Sequence, residues 1–236
     1  MTVTHDTFFF IRLLVEKVRE FVDREYEIIV VDRGSRDGSC EWLRVQSDVR
    51  LLSPPLRSRG HGHGEAAEAG VQAARHEAIV LLDSDAHPLD RSWLSSTVDR
   101  LDDHHRLAGP VFHGEHAGNP NGWYVHPHFM AFWKSDLGTL VTLRKIGQWD
   151  TGEAATVQLL ERGFAVIQHP LRPSQQFAVG HPHFPTVAAG VFHAWYGTRM
   201  QKETRSVGRE TEGRVSASSY LAPLQARLRE VYQLEY

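Results

Sequence analysis

Cysteine is nearly absent. Cys40 is the single one in 236 residues. One cysteine cannot close an internal disulfide, and a chain without that staple fits a reducing compartment, so a cytoplasmic setting is expected. Long apolar runs are missing too. No stretch approaches the roughly 18 apolar residues needed to cross a bilayer, and no membrane segment is expected. Phe8-Phe9-Phe10-Ile11 lies near the start. It has no basic region before it and charges soon after, so it does not read as a signal peptide. Neither sign of charge is in large excess. A formal net charge of −3 argues against a large non-specific nucleic-acid surface, while a local basic groove stays open. With 41% hydrophobic residues the chain is not of disordered composition, and its length fits one large domain or one domain with an appendage. Histidine, by contrast, is abundant, with 15 residues, several of them clustered.

The first hundred residues alternate between two periodicities. Thr2-Val3-Thr4 is a short β-prone segment. Phe8, Ile11, Leu14, Val15, Val18, Phe21 and Val22 then recur at helical steps. Glu27-Ile-Ile-Val-Val-Asp32 is an apolar strand ending in an acid, and Arg33–Ser39 is a loop in which Ser35 or Asp37 can cap a helix through Trp42 and Leu43. Val49–Ser53 is a third strand candidate, closed by Pro54-Pro55. A glycine-rich stretch at 60–64 precedes helical spacing over Glu65–Arg75. Such alternation predicts βαβ units and a mostly parallel sheet flanked by helices. Beyond Gly109 the pattern loosens. Trp123–Trp133 is aromatic-rich, Glu153–Arg162 is a short helix before a strand at Phe164–Ile167, and 170–185 is rich in proline and histidine. Leu221, Leu224, Leu228, Val231 and Leu234 mark a C-terminal helix that can pack on the domain or form an oligomer contact.

Ala78-Ile-Val-Leu-Leu-Asp-Ser-Asp85 carries the most chemistry. A buried strand that ends in two carboxylates places them at the C-terminal rim of an open α/β sheet, where ligands bind in such folds. Two hard oxygen ligands suit Mg²⁺ or Mn²⁺ bridging to phosphates. The plainer alternative is that Asp83 or Asp85 caps a helix over Leu89–Leu101.

Three segments together resemble family 2 glycosyltransferases of the GT-A fold. Glu27–Ser39, with Asp32 ahead of Gly-Ser-Arg-Asp-Gly-Ser, is similar to that family's first nucleotide-binding segment. Gly62–Gly70 with Ala73-Ala74 is similar to its glycine- and alanine-rich helix start, and Ala78–Asp85 to its strand and Asp-x-Asp motif. Further on, Gly147-Gln-Trp-Asp150-Thr-Gly-Glu153 resembles the segment that carries the catalytic carboxylate. The usual Glu-Asp pair is here Glu153-Ala154. Val191–Arg199 resembles a late segment whose histidine adds a metal ligand in several metal-dependent members.

The resemblance implies a role for each residue. Asp32 would accept a hydrogen bond from a nucleobase imide, with Thr4 beside it at the end of the first strand; otherwise Asp32 is a turn acid holding its loop. Arg59, in the loop Arg57–Gly64, would reach the base or phosphate side of the donor by a forked contact; otherwise that loop is a solvated one. His61 and His63, two apart, could bind a soft divalent metal, but no cysteine or third ligand stands near them in sequence. Asp83 and Asp85 would hold Mn²⁺ or Mg²⁺, Asp85 most directly, and His193 would complete the site; otherwise His193 is a buried histidine packed on Trp195. Glu153 would be the general base, with Asp150 the alternative, or Glu153 is a first-turn acid favoured by the helix dipole. Trp123, Tyr124, His126, His128, Phe129, Phe132 and Trp133 would meet the acceptor, or form core.

The implied protein is a GT-A domain over 1–236: a nucleotide-sugar half at 1–105, an acceptor and catalytic half at 106–200, and a helical tail at 201–236. It would move a sugar from a nucleotide-diphosphate sugar to an acceptor hydroxyl, with inversion. The acceptor would be a small molecule, a protein or a modified DNA base. Two alternatives compete. A degenerate GT-A module would bind nucleotide sugars without catalysis. A sugar-phosphate nucleotidyltransferase also uses a parallel sheet and paired acids, but the Gly-rich, Lys/Arg-containing signature it would carry near the N-terminus is absent here.

Overall fold

The apolar runs that end in acids form the centre of a sheet. In the computed structural model, which describes residues 1–53, 62–113, 119–147, 149, 151–179, 185–195 and 220–236, strands β1 (Thr2–Thr4), β2 (Ile28–Asp32), β3 (Val49–Leu52) and β4 (Ala78–Asp83) lie in the order β3-β2-β1-β4, all parallel. Their crossovers are helices α1 (Phe8–Phe21), α2 (Ser39–Arg44) and α3 (His63–Ala73). Every residue of β2 is buried, as a continuous apolar run requires when both faces of a sheet are covered. Helix α1 packs Ile11, Leu14, Val15 and Val18 against Ile28, Val30 and Leu82 on one face. Ala66, Ala67 and Val71 of α3 pack with Ile29, Val31, Ile79 and Leu81 on the other.

Beyond β4 the sheet turns mixed. After β5 (Ala86–Pro88) and a short helix α4 (Ser92–Ser95), strands β6 (His105–His113), β7 (Trp123–Val125) and β8 (Phe129–Trp133) continue it in the order β4-β8-β6-β7 through antiparallel pairs. Helix α5 (Thr151–Glu161) then leads to β9 (Ala165–Pro170), parallel to β6. A second sheet runs β10 (Arg172–Pro173), β11 (Thr186–Ala188), β12 (Val191–His193) and β5, all antiparallel. The C-terminal helix α6 (Leu221–Tyr232) buries Leu221, Leu224 and Leu228 against Phe9, Phe10 and Leu13 of α1, together with Phe177 and Phe192.

Two local expectations change. The stretch 89–101 is not one helix but α4 and a separate 3-10 turn at Val98–Arg100, and a short strand, not a helix, follows Asp85. The acids of β4 therefore do not cap a helix there. Asp37 serves two helices: its carboxylate accepts from the amide of Ser39 at 3.1 Å, where α2 begins, and from the amide of Phe8 at 2.7 Å, where α1 begins. No helix among the described residues is long and apolar enough to cross a membrane.

His87 ties β5 to the C-terminal helix. It is buried, its Nε2 lies 2.9 Å from the Tyr232 hydroxyl, and its ring lies 4.7 Å from that of Phe192. Burial pushes this imidazole from 6.5 down to about 3, with the Lys17 charge adding to the effect. The folded protein thus holds His87 neutral while the unfolded chain protonates it. The contribution is complete above the unfolded pKa and is lost as pH falls from 6.5 toward 3. Urea melts across that range should lose about 1.4 kcal/mol per pH unit from this residue. His87→Gln, which can still bond Tyr232, should flatten the acid limb by that amount; an unchanged slope would show that His87 does not titrate in this way.

Candidate active site

The register of the parallel strands assembles one rim. Thr4 lies level with Asp32, and Val3 level with Asp83, so β1, β2 and β4 end together at the C-terminal edge of the sheet. Asp32 is buried, and its carboxylate accepts the amides of Gly34 at 3.0 Å and Ser35 at 3.2 Å. It therefore does hold its own loop. Each carboxylate oxygen has two lone pairs, so these bonds orient the group without exhausting it. Thr4 Oγ1 bonds Thr7 Oγ1 at 2.7 Å. Beside Asp32 lies a cavity of about 370 Å³ lined by Arg33, Gly34, Ser35, Glu41, Arg44 and Ser53, among others. Cys40, buried at its edge, has its thiol pushed up by burial, with the Asp32 charge adding to it.

The second sheet brings a third side chain of metal-binding type to the rim. In the β5–β12 pair His193 is opposite Ala86, and the Ala194 amide donates to the Asp85 carbonyl at 3.0 Å. This sets His193 Nε2 at 3.4 Å from Asp85 Oδ1 and 3.9 Å from Asp83 Oδ2. Asp83, Asp85 and His193 each offer one ligand atom, all within 4.8 Å of one another, and Asp85 and His193 are buried. The two carboxylate oxygens suit Mn²⁺ or Mg²⁺, and the imidazole nitrogen suits a transition ion better than Mg²⁺.

Aromatic rings back this group. His128 stacks on His193 with centroids 4.1 Å apart and planes at 5°. Trp195 lies 4.7 Å from His193 and 4.9 Å from His126, and it adopts φ +60°, a strained backbone for a bulky residue. Burial pushes His128 well below its ordinary value, with the His193 and His126 charges adding to it, so it is neutral. The His128 amide donates to His126 Nδ1 at 3.3 Å, and His128 Nδ1 lies 2.8 Å from the same atom. His126 Nδ1 is thus an acceptor, which puts a neutral His126's proton on Nε2.

The expected aromatic cluster divides in two. Tyr124, His126 and His128 join the rim, with Phe112 beside them. Phe129 and Phe132 are fully buried core. Trp133 pairs with Ala78, at the opposite end of β4 from Asp83, because β8 runs antiparallel from the rim back to the base of the sheet. At about 3.3 Å per residue that separation is roughly 16 Å, too far for Trp133 to share an acceptor with the carboxylates.

Glu153 stands in the first turn of α5 and is fully buried. Asn119, which no motif singles out, donates its Nδ2 to Glu153 Oε1 at 2.8 Å and to the Trp123 carbonyl at 3.2 Å. Asp150, Arg59 and His61 lie outside the described residues.

A family profile described as Glycosyl transferase family 2 matches residues 2–165. Among curated proteins, "Uncharacterized glycosyltransferase YkcC" of Bacillus subtilis (strain 168) is 34% identical over 87 residues, which is 35% of this chain and 25% of that protein. Undecaprenyl-phosphate 4-deoxy-4-formamido-L-arabinose transferase of Aeromonas hydrophila is 35% identical over 66 residues, 27% of this chain and 20% of that protein. The matched stretch spans a quarter or less of these relatives' own length. Among solved structures, the mannosyltransferase PcManGT from Pyrobaculum calidifontis, in complex with GDP-Man and Mn²⁺, superposes with a TM-score of 0.56 at 21% identity, covering 72% of this chain and 53% of that one. Glucosyl-3-phosphoglycerate synthase from Mycobacterium tuberculosis, in complex with Mn²⁺, UDP and phosphoglyceric acid, gives a TM-score of 0.53 at 19% identity, covering 72% and 66%. These likenesses identify the fold as GT-A.

The first turn of α5 is pressed onto β7. A Cβ at Gly152 would come within 1.9 Å of the Val125 carbonyl oxygen, and Thr156 Oγ1 accepts the Val125 amide at 3.0 Å. Gly152→Ala should therefore cost about 1–3 kcal/mol in urea denaturation, as overpacking against a backbone does. A neutral result would mean that α5 can slide on β7.

Proposed function

The chain belongs to glycosyl transferase family 2, and from that premise we propose that it transfers a sugar from a nucleoside-diphosphate sugar to an acceptor hydroxyl at a divalent-cation site. The observation that carries the proposal is the convergence of Asp83, Asp85 and His193 at the sheet rim. Asp85 and His193 would hold Mn²⁺ or Mg²⁺ with Asp83. Bound there, the cation would neutralise charge developing on the diphosphate leaving group. Thr4 and Asp32 would fix the nucleoside, with the cavity beside Asp32 taking its base. Arg59 is proposed for the donor on its place in the glycine-rich loop before α3. The rim rings Tyr124, His126 and Trp195 suit the acceptor, whether small molecule, protein or modified DNA base. Inversion, a cytoplasmic setting, an oligomer contact through the C-terminal helix, and one working domain over 1–236 belong to the same proposal.

The proton acceptor is one of two carboxylates. A base must touch the hydroxyl it deprotonates. Glu153 is fully buried and holds Asn119. That weighs for Asp150 as the base, with Glu153 holding Asn119 in place. The same burial, with Ala154 in the second place of the pair, favours one competing reading, a module that binds nucleotide sugar without turning it over.

Calorimetry tests the cation. A panel of nucleoside diphosphates should include one that binds tightly with Mn²⁺ or Mg²⁺ and at least about ten-fold more weakly in EDTA, since metal affinity becomes diphosphate affinity by linkage. Asp85→Ala should lose that dependence. Equal binding with and without the ion removes the cation from the mechanism.

A second experiment assigns the base. Asp150→Asn should lower kcat by about 10²-fold or more with donor affinity unchanged, while Glu153→Gln stays active. The reverse pattern returns the role to Glu153. Slow hydrolysis of the donor by the wild type separates an enzyme from a binding module, and its complete absence across donors would favour the module.

A further inference from the structure

His63 opens helix α3 and stands beside the proposed cation group. Its Nε2 lies 3.4 Å from Asp83 Oδ1, whereas His193 Nε2 lies 3.9 Å from the other oxygen, Asp83 Oδ2. One carboxylate is thus flanked by two imidazole nitrogens, one facing each oxygen. His63 is partly exposed as a side chain, yet its Nε2 is buried and makes no hydrogen bond. Buried polar atoms in native proteins are rarely left unbonded, and one pointed at a carboxylate of metal-binding type calls for a shared partner.

The ring is also held in place. A Cβ at the next residue, Gly64, would come within 1.7 Å of the Leu143 carbonyl oxygen, so the first turn of α3 is seated directly on the 142–144 segment. Glu68, one turn on and buried, fixes that contact. It accepts from Thr142 Oγ1 at 2.9 Å, the Leu143 amide at 3.2 Å and Arg144 Nε at 2.6 Å. His63 is therefore presented from a braced helix end.

We propose that His63 is a fourth protein ligand of the cation, making the site two carboxylates and two imidazoles. This rests on the cation reading above and adds a selectivity to it. Imidazole nitrogen is taken more readily by first-row transition ions than by Mg²⁺, which keeps to oxygen. A second imidazole biases the site toward Mn²⁺ and Co²⁺ and away from Mg²⁺.

The experiment uses the whole chain with metal salts alone. Wild type should bind Mn²⁺ about ten-fold or more tightly than Mg²⁺, and His63→Ala should lose about ten-fold in Mn²⁺ affinity while Mg²⁺ affinity barely moves. The visible absorption of bound Co²⁺ should change in the same variant. His63→Gln, checked for fold by circular dichroism, should behave like His63→Ala. Electron spin-echo modulation of Mn²⁺ on the wild type counts coordinated imidazoles without any variant. Two are expected, and one overturns the assignment. Unchanged Mn²⁺ affinity and Co²⁺ spectrum in folded His63 variants overturn it as well, and leave Asp83, Asp85 and His193 as the cation group. A wild type that binds no divalent ion, with or without a nucleoside diphosphate, removes the cation reading itself.

Discussion

The site depends on one short pairing, the antiparallel contact of Ala86–Pro88 with Val191–His193. The sheet rim alone supplies Thr4, Asp32, Asp83 and Asp85, all from the first ninety residues. The pairing carries His193 to within 3.4 Å of Asp85 and closes a three-ligand group from residues more than a hundred positions apart. It is also what the rest of the molecule braces. His87, in the same strand as Ala86, bonds Tyr232 of the C-terminal helix, and that helix is packed on α1, whose own start is fixed by Asp37 from the Asp32 loop. The Asp32 loop, the first helix, the last helix and the Ala86–Pro88 strand are thus mechanically connected.

The connection explains why so many buried polar groups gather at one edge. Asp32, Asp85, His87, His128, Glu153 and His193 are each less than a tenth exposed. Each would be costly if unsatisfied. Asp32 takes two backbone amides, Glu153 takes Asn119, His87 takes Tyr232, and His128 bonds His126 through Nδ1. The positive φ of Trp195 adds local strain two residues after His193.

The first half of this arrangement was legible in the sequence because its signals are local. An apolar run ending in an acid says both strand and rim, and parallel βαβ order then aligns the ends, so Thr4 falls level with Asp32 while Asp83 stands level with Val3, one residue back. The later half was less legible because long-range pairing decides it. Nothing in Trp123–Trp133 shows that a turn at 126–128 divides it, leaving His126 and His128 at the rim and sending Trp133 to the far end of β4. The helix expected over 89–101 is interrupted because Ser96 and Thr97 turn their hydroxyls back onto the carbonyl of Trp93, at 3.1 Å and 2.6 Å, and the chain breaks before the 3-10 turn. Asn119 could not be found from sequence at all, since its only signal is the carboxylate it meets.

The central claim is that Asp83, Asp85 and His193 are cation ligands that serve a nucleoside diphosphate. A crystal grown with Mn²⁺ and the diphosphate that binds best tests it most directly, with data collected at the manganese edge. The account predicts one strong anomalous peak bonded to Asp85 and His193, with diphosphate oxygens completing the shell and the base in the cavity beside Asp32. A diphosphate bound with no anomalous peak at that group, or a peak elsewhere, would contradict it.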